Sequence, residues 1–77
     1  ALMKDLIEYI AKSLVDDPSR VDVTEIERGH SVILKLEVAQ EDKGRVIGRH
    51  GRVANAMRGL LRVMASREGK RVSLDIV

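Results

Sequence analysis

The chain has 77 residues, with 14 Lys or Arg against 12 Asp or Glu, no cysteine, no Phe or Trp and a single tyrosine. That length fits one domain spanning residues 1–77, whose modest core buries about 60% of the unfolded surface. Without cysteine there is no disulfide framework and no thiolate metal site; no apolar run approaches the roughly 18 residues of a membrane span, and no secretory-leader pattern opens the sequence.

Met3, Leu6, Ile7, Ile10, Ala11 and Leu14 recur at helical spacing and predict an amphipathic helix over 2–15. Asp16-Asp17-Pro18 ends it, because the residue before a proline is pushed out of the α region. Val21, Val23, Thr24 and Ile26 suggest a first strand, and Gly29-His30 a turn. Val32, Leu34, Leu36 and Val38 alternate with Ile33, Lys35 and Glu37, which predicts a second strand paired with the first as a hairpin. Glu41-Asp42 place negative charge where a helix N-terminus favours it, so residues 41–47 are a candidate short helix, weakened by Gly44.

The stretch Val46-Ile47-Gly48-Arg49-His50-Gly51-Arg52 follows. Two glycines three apart allow a sharp turn whose N–H groups face outward without Cβ obstruction. A helix start beyond it adds unpaired donors and a positive dipole end, which favour an anion, and flanking arginines select phosphate. Val53, Met57, Leu60, Leu61 and Met64 form an apolar stripe over 52–67, ended by Gly69. Val72, Leu74 and Ile76 then alternate with Arg71, Ser73 and Asp75 as a last strand. The order is α-β-β-α-α-β, and the economical arrangement is an α+β domain with three helices on one face of a three-stranded sheet.

Charge is divided unevenly along the chain. Residues 1–42 hold five Lys or Arg against ten carboxylates, a balance of −5, whereas residues 43–77 hold nine against two, a balance of +7. The basic half contains the glycine turn, as expected of a polyanion-binding face on one side of the molecule.

With the glycine turn lying between two helices in that order, the chain resembles a KH domain of the bacterial type II topology, a family that clamps nucleotide backbones with a GxxG loop. Met3-Lys4-Asp5-Leu6-Ile7, Asp16-Asp17-Pro18 and the short length look like the small stand-alone KhpA-type proteins. The resemblance implies a cytoplasmic, non-enzymatic protein that binds single-stranded RNA with low sequence specificity, as an RNA chaperone or post-transcriptional regulator. It implies a homodimer, or a heterodimer with a larger KH-containing protein. Gly48 and Gly51 would set the loop, N–H groups from Arg49 to Arg52 would face a phosphate, and the Arg49 and His50 side chains would reach neighbouring phosphates or sugars. Val46, Ile47, Val53 and Ala54 match the apolar floor on which KH domains seat bases, with Gly44 in the same motif; Lys43 and Arg45 are auxiliary phosphate candidates. The near absence of aromatics agrees, since stacking platforms have no residues to use.

Plainer roles exist for the same residues. The two glycines could serve as a helix C-cap and a tight turn, His50 as an exposed polar residue, Val46, Ile47 and Val53 as core, and Lys43 and Arg45 as solubilising charge. At about 100° per residue, Arg52, Ala56, Gly59 and Val63 share a flank of the third helix whose small residues suit close approach of a second copy, or of the protein's own second helix. Arg58 and Arg62 lie elsewhere on that helix, free, matched to a partner's carboxylates or touching RNA. Catalysis finds little support: His30 and His50 are the only histidines, no nucleophile stands in a triad order, and the glycine spacing fits neither nucleotide loop pattern. No cofactor, metal or small-molecule substrate is expected. The competing reading is a protein-interaction module that dimerises through its KH-like fold and binds little RNA.

Overall fold

The computed structural model describes residues 2–77. Helix α1 (Leu2–Leu14) is followed by a short 3-10 turn (Pro18–Arg20), strands β1 (Asp22–Arg28) and β2 (Ser31–Glu37), a second 3-10 turn (Gln40–Asp42), helix α2 (Lys43–Ile47), a third 3-10 turn (Arg49–Gly51), helix α3 (Arg52–Arg67) and strand β3 (Arg71–Ile76). This is the expected α-β-β-α-α-β order of an α+β domain.

The sheet is mixed, in the order β1-β2-β3. The hairpin pairs Val23 with Leu36 and Ile26 with Ile33 in antiparallel register. Strand β3 runs parallel to β2, with Leu74 opposite Leu34. A parallel neighbour needs a long crossover, which α2 and α3 supply.

Side-chain alternation on β2 turns Val32, Leu34 and Leu36 toward the helices and leaves Lys35 and Glu37 exposed. Met3, Ile7 and Ala11 of α1 and Met57, Leu61 and Ala65 of α3, each set spaced four apart, complete the core with Val23, Val38, Val46 and Leu74. Burying each large aliphatic side chain contributes about 1.5–3 kcal/mol.

The buried face of α3 differs from the expected stripe in one respect. Ala54, Met57, Leu61 and Ala65 face inward, while Leu60 is 51% exposed. Leu60 is one residue, about 100°, round the helix from Leu61, so the face that buries these four residues leaves it at the rim. At the end of α3 the N–H of Lys70 donates to the Ala65 carbonyl at 2.8 Å and that of Gly69 to Ser66 at 3.2 Å. With Gly69 at φ 67°, this is a Schellman ending that turns the chain into β3.

Candidate functional site

Helix α2 has five residues, too few to persist alone. It is fixed at three points. In its middle Val46 is wholly buried. At its C-terminal end Gly48 donates its N–H to the Gly44 carbonyl at 2.9 Å and takes φ 78°, ψ 168°, a conformation that only glycine adopts readily. The first turn of α3 folds back over Gly48 so closely that a Cβ there would lie 2.8 Å from the Val53 backbone nitrogen and 2.9 Å from the Val53 Cβ. Gly48 is therefore required by both backbone angle and space.

At its N-terminal end, Asp42 provides the third fixed point, which no local pattern in the residues signals. Its side chain is only 3% exposed. One oxygen accepts the Asp16 N–H at 3.1 Å and the other the Asp17 N–H at 3.2 Å. Its negative charge stands at the start of α2 as expected, but the carboxylate makes no cap bond to the helix and directs its hydrogen bonds across the fold instead. Arg45 joins this cluster, with Nη2 3.1 Å from Asp16 and Nε 3.7 Å from Asp42. An auxiliary phosphate candidate is thus engaged by two carboxylates of its own chain.

The turn itself is compact. The Gly51 N–H donates to the Gly48 carbonyl at 3.1 Å and the Arg52 N–H to that of Arg49, so two of the four amides expected to face an anion are used inside the turn. The N–H groups of Arg49 and His50 find no backbone acceptor among the described residues. Both side chains are exposed, as is Arg52. His50 sits at φ 59°, ψ 24°, alone among non-glycine described residues in having positive φ, and Gly51 follows at φ 75°, ψ 14°. The left-handed conformation costs a non-glycine residue roughly 1–2 kcal/mol, and the constraints on both sides impose it here. The result is an Arg-His tip held outward, with two donor amides and cationic side chains beside it.

The apolar candidates divide. Val46 and Ala54 are 0% and 2% exposed and belong to the core, so they present no surface to a ligand. Ile47 is 38% exposed and Val53 half-buried, which leaves these two beside the turn as accessible apolar surface. Lys43 is half-buried and Gly44 exposed.

The α3 flank is open. Arg52, Ala56 and Val63 are exposed and Gly59 is half-buried, so α2 does not cover them, and Leu60 widens the same apolar patch. Arg58 lies apart from it: its Nη2 donates to the Leu74 carbonyl at 3.0 Å, which ties this guanidinium to strand β3 rather than to solvent. Among the described residues, no helix is long and apolar enough to cross a membrane.

Comparison with known proteins gives a consistent picture. A family model described as KhpA/KhpB, KH domain matches residues 4–76. The chain is 51% identical to the RNA-binding protein KhpA of Clostridium acetobutylicum, over 97% of this chain and 100% of that protein. It is 44% identical to the protein of the same name from Aquifex aeolicus, over 97% and 95%. Among solved structures, a point variant of Aquifex aeolicus Era bound to GDP·AlF4− is similar with a TM-score of 0.55 and 20% identity, over 97% of this chain and 29% of that one, a likeness of fold alone.

Proposed function

The chain belongs to the KhpA/KhpB family of KH domains, and on that premise we propose that it binds single-stranded RNA by clamping the sugar-phosphate backbone at the Gly48–Gly51 turn. The observation that carries this reading is the tip geometry. Arg49 and His50 offer two backbone N–H donors without an internal acceptor and two exposed side chains, on a turn fixed from both ends. Phosphate accepts such donors regardless of base, so the contact holds a strand without reading its sequence. Ile47 and Val53 offer a base only a small apolar surface, and low sequence specificity follows. A cytoplasmic RNA chaperone or post-transcriptional regulator fits a binder of that kind.

The test is the binding of a fluorescein-labelled oligouridylate to the native protein and to the double variant R49D/H50D. The native protein should bind in a salt-sensitive way, since each neutralised phosphate releases counterions. The double variant should lose binding and keep its thermal midpoint, because both side chains are solvent-exposed. Equal binding by the two proteins would overturn the assignment.

A second reading, self-association or pairing with a larger KH-containing protein, is favoured by one specific observation. Leu60 and Val63 are 51% and 57% exposed on α3, beside Ala56 and Gly59. An apolar strip of this kind, with small residues for close approach, suits another helix better than water. It lies on a different part of α3 from the turn, so pairing and RNA binding are compatible.

A further inference from the structure

We infer that Asp42 is a positioning residue for the glycine turn, a role that rests on the RNA-binding reading of that turn. Asp42 touches no part of the Arg49–His50 tip. It is nevertheless the only buried charged or polar residue in the core among the described residues. A buried carboxylate is tolerated where charge-assisted hydrogen bonds satisfy it, and here both oxygens are occupied by amides 25 and 26 residues away in sequence.

The mechanical consequence follows from the shortness of α2. The helix cannot hold its own direction, so its axis is set by Asp42 at one end, Val46 in the middle and the Gly48–Val53 contact at the other. Loss of the Asp42 anchor frees the end opposite the turn. A tilt of about 10° over a lever of roughly 10 Å displaces the tip by about 2 Å, enough to take donor amides out of hydrogen-bond reach of a phosphate. Arg45 would move too, since its pairs with Asp16 and Asp42 cross the same junction.

The sign of the effect separates positioning from plain electrostatics. D42N removes a negative charge close to a polyanion site, and charge alone would tighten RNA binding. Positioning demands the opposite, because an asparagine presents an N–H2 group to one of the two amide donors it must accept. D42N should bind the labelled oligouridylate about tenfold more weakly than the native protein, measured well below both thermal midpoints. E41Q, which removes an exposed charge next to Asp42 without touching the Asp16–Asp42–Arg45 cluster, should bind as well as or better than the native protein. D42N binding as tightly as the native protein, or more tightly, would overturn the proposal.

If D42N does not fold, D42E serves instead: it keeps the charge and both acceptors but pushes the junction apart by one methylene, and it too should bind more weakly. Amide chemical shifts of Arg49, His50 and Gly51 in the RNA-free variants keep the two ideas apart. Shifted tip amides in D42N, with no RNA binding by the native protein, would uphold the anchor and overturn the RNA reading. Unshifted tip amides, with native binding that R49D/H50D abolishes, would do the reverse.

Discussion

The carboxylate of Asp42 accepts the backbone N–H of Asp16 at 3.1 Å and thereby joins the segment after α1 to the entrance of α2. With the Asp17 amide on the other oxygen, this bond holds the loop after α1 against the start of α2, where Arg45 of the basic half pairs with Asp16 and Asp42. The turn's outward pose is therefore a property of the folded domain and not of the four residues Gly48–Gly51 alone.

The glycines should differ sharply in their tolerance of a methyl group. Gly48→Ala meets the Val53 backbone at under 3 Å with φ at 78°, and should lose about 2–3 kcal/mol, lowering the thermal midpoint by roughly 10 °C or more. Gly59→Ala meets nothing within 4 Å in the interior of α3, and should gain up to about 1 kcal/mol from helix propensity. Thermal denaturation of the two variants checks both signs. Equal effects would mean that the turn is looser than described.

Removal of the Arg58 guanidinium should weaken the outer edge of the sheet. Its bond to the Leu74 carbonyl occupies an acceptor on β3, an edge strand. Arg58→Ala should cost about 1–2 kcal/mol and increase the tendency to aggregate through the uncovered edge. Chemical denaturation gives the first quantity and light scattering after mild heating the second. An unchanged midpoint would mean that water replaces the arginine without loss.

Much of this architecture is legible in the residues, and what is not has identifiable causes. The period-two alternation of Val32, Leu34 and Leu36 and the helical spacing of Met3, Ile7 and Ala11 mark their own buried faces. Gly48-Arg49-His50-Gly51 announces its turn through glycine spacing. Leu60 misleads because hydrophobicity counts it above alanine, whereas it lies about 100° round α3 from Leu61, at the rim of the face that buries Ala54, Met57, Leu61 and Ala65 to full depth. The same depth puts Val46 and Ala54 in the core rather than on a surface. Asp42 is opaque for another reason: its partners are backbone amides 25 and 26 positions away, and no side-chain pattern encodes that pairing. Arg58 likewise bonds to a carbonyl, which every residue carries.

High pH should loosen the tie between the α3–β3 turn, which carries Lys70, and Glu27 of strand β1. The hydrogen bond and charge of Glu27 hold the Lys70 ammonium above its ordinary value of 10.5, outweighing desolvation, with Glu68 and Glu25 adding to it. A pKa raised on folding contributes stability that is complete below the unfolded-state value and is lost as pH rises through the folded-state value. The thermal midpoint should accordingly fall above about pH 10.5, and E27Q should flatten that part of the profile. Parallel profiles for the two proteins would remove Lys70 from this role.

The open strip on α3 should control association and leave the turn untouched. Leu60→Glu or Val63→Glu places a charge on surface that is already exposed, so the fold should persist while any self-association seen for the native protein disappears. Sedimentation equilibrium measures this. A native protein that stays monomeric at high concentration would withdraw the self-pairing reading and leave the larger partner as its only form.

The clamp is tested most directly by titrating the isotope-labelled protein with a short oligouridylate and following every backbone amide. The largest shifts should fall on Arg49 and His50, with smaller ones at Ile47 and Val53, and all should fade as salt is raised. Largest shifts on the Ala56–Val63 flank, or no shifts anywhere, would contradict a phosphate clamp at Gly48–Gly51.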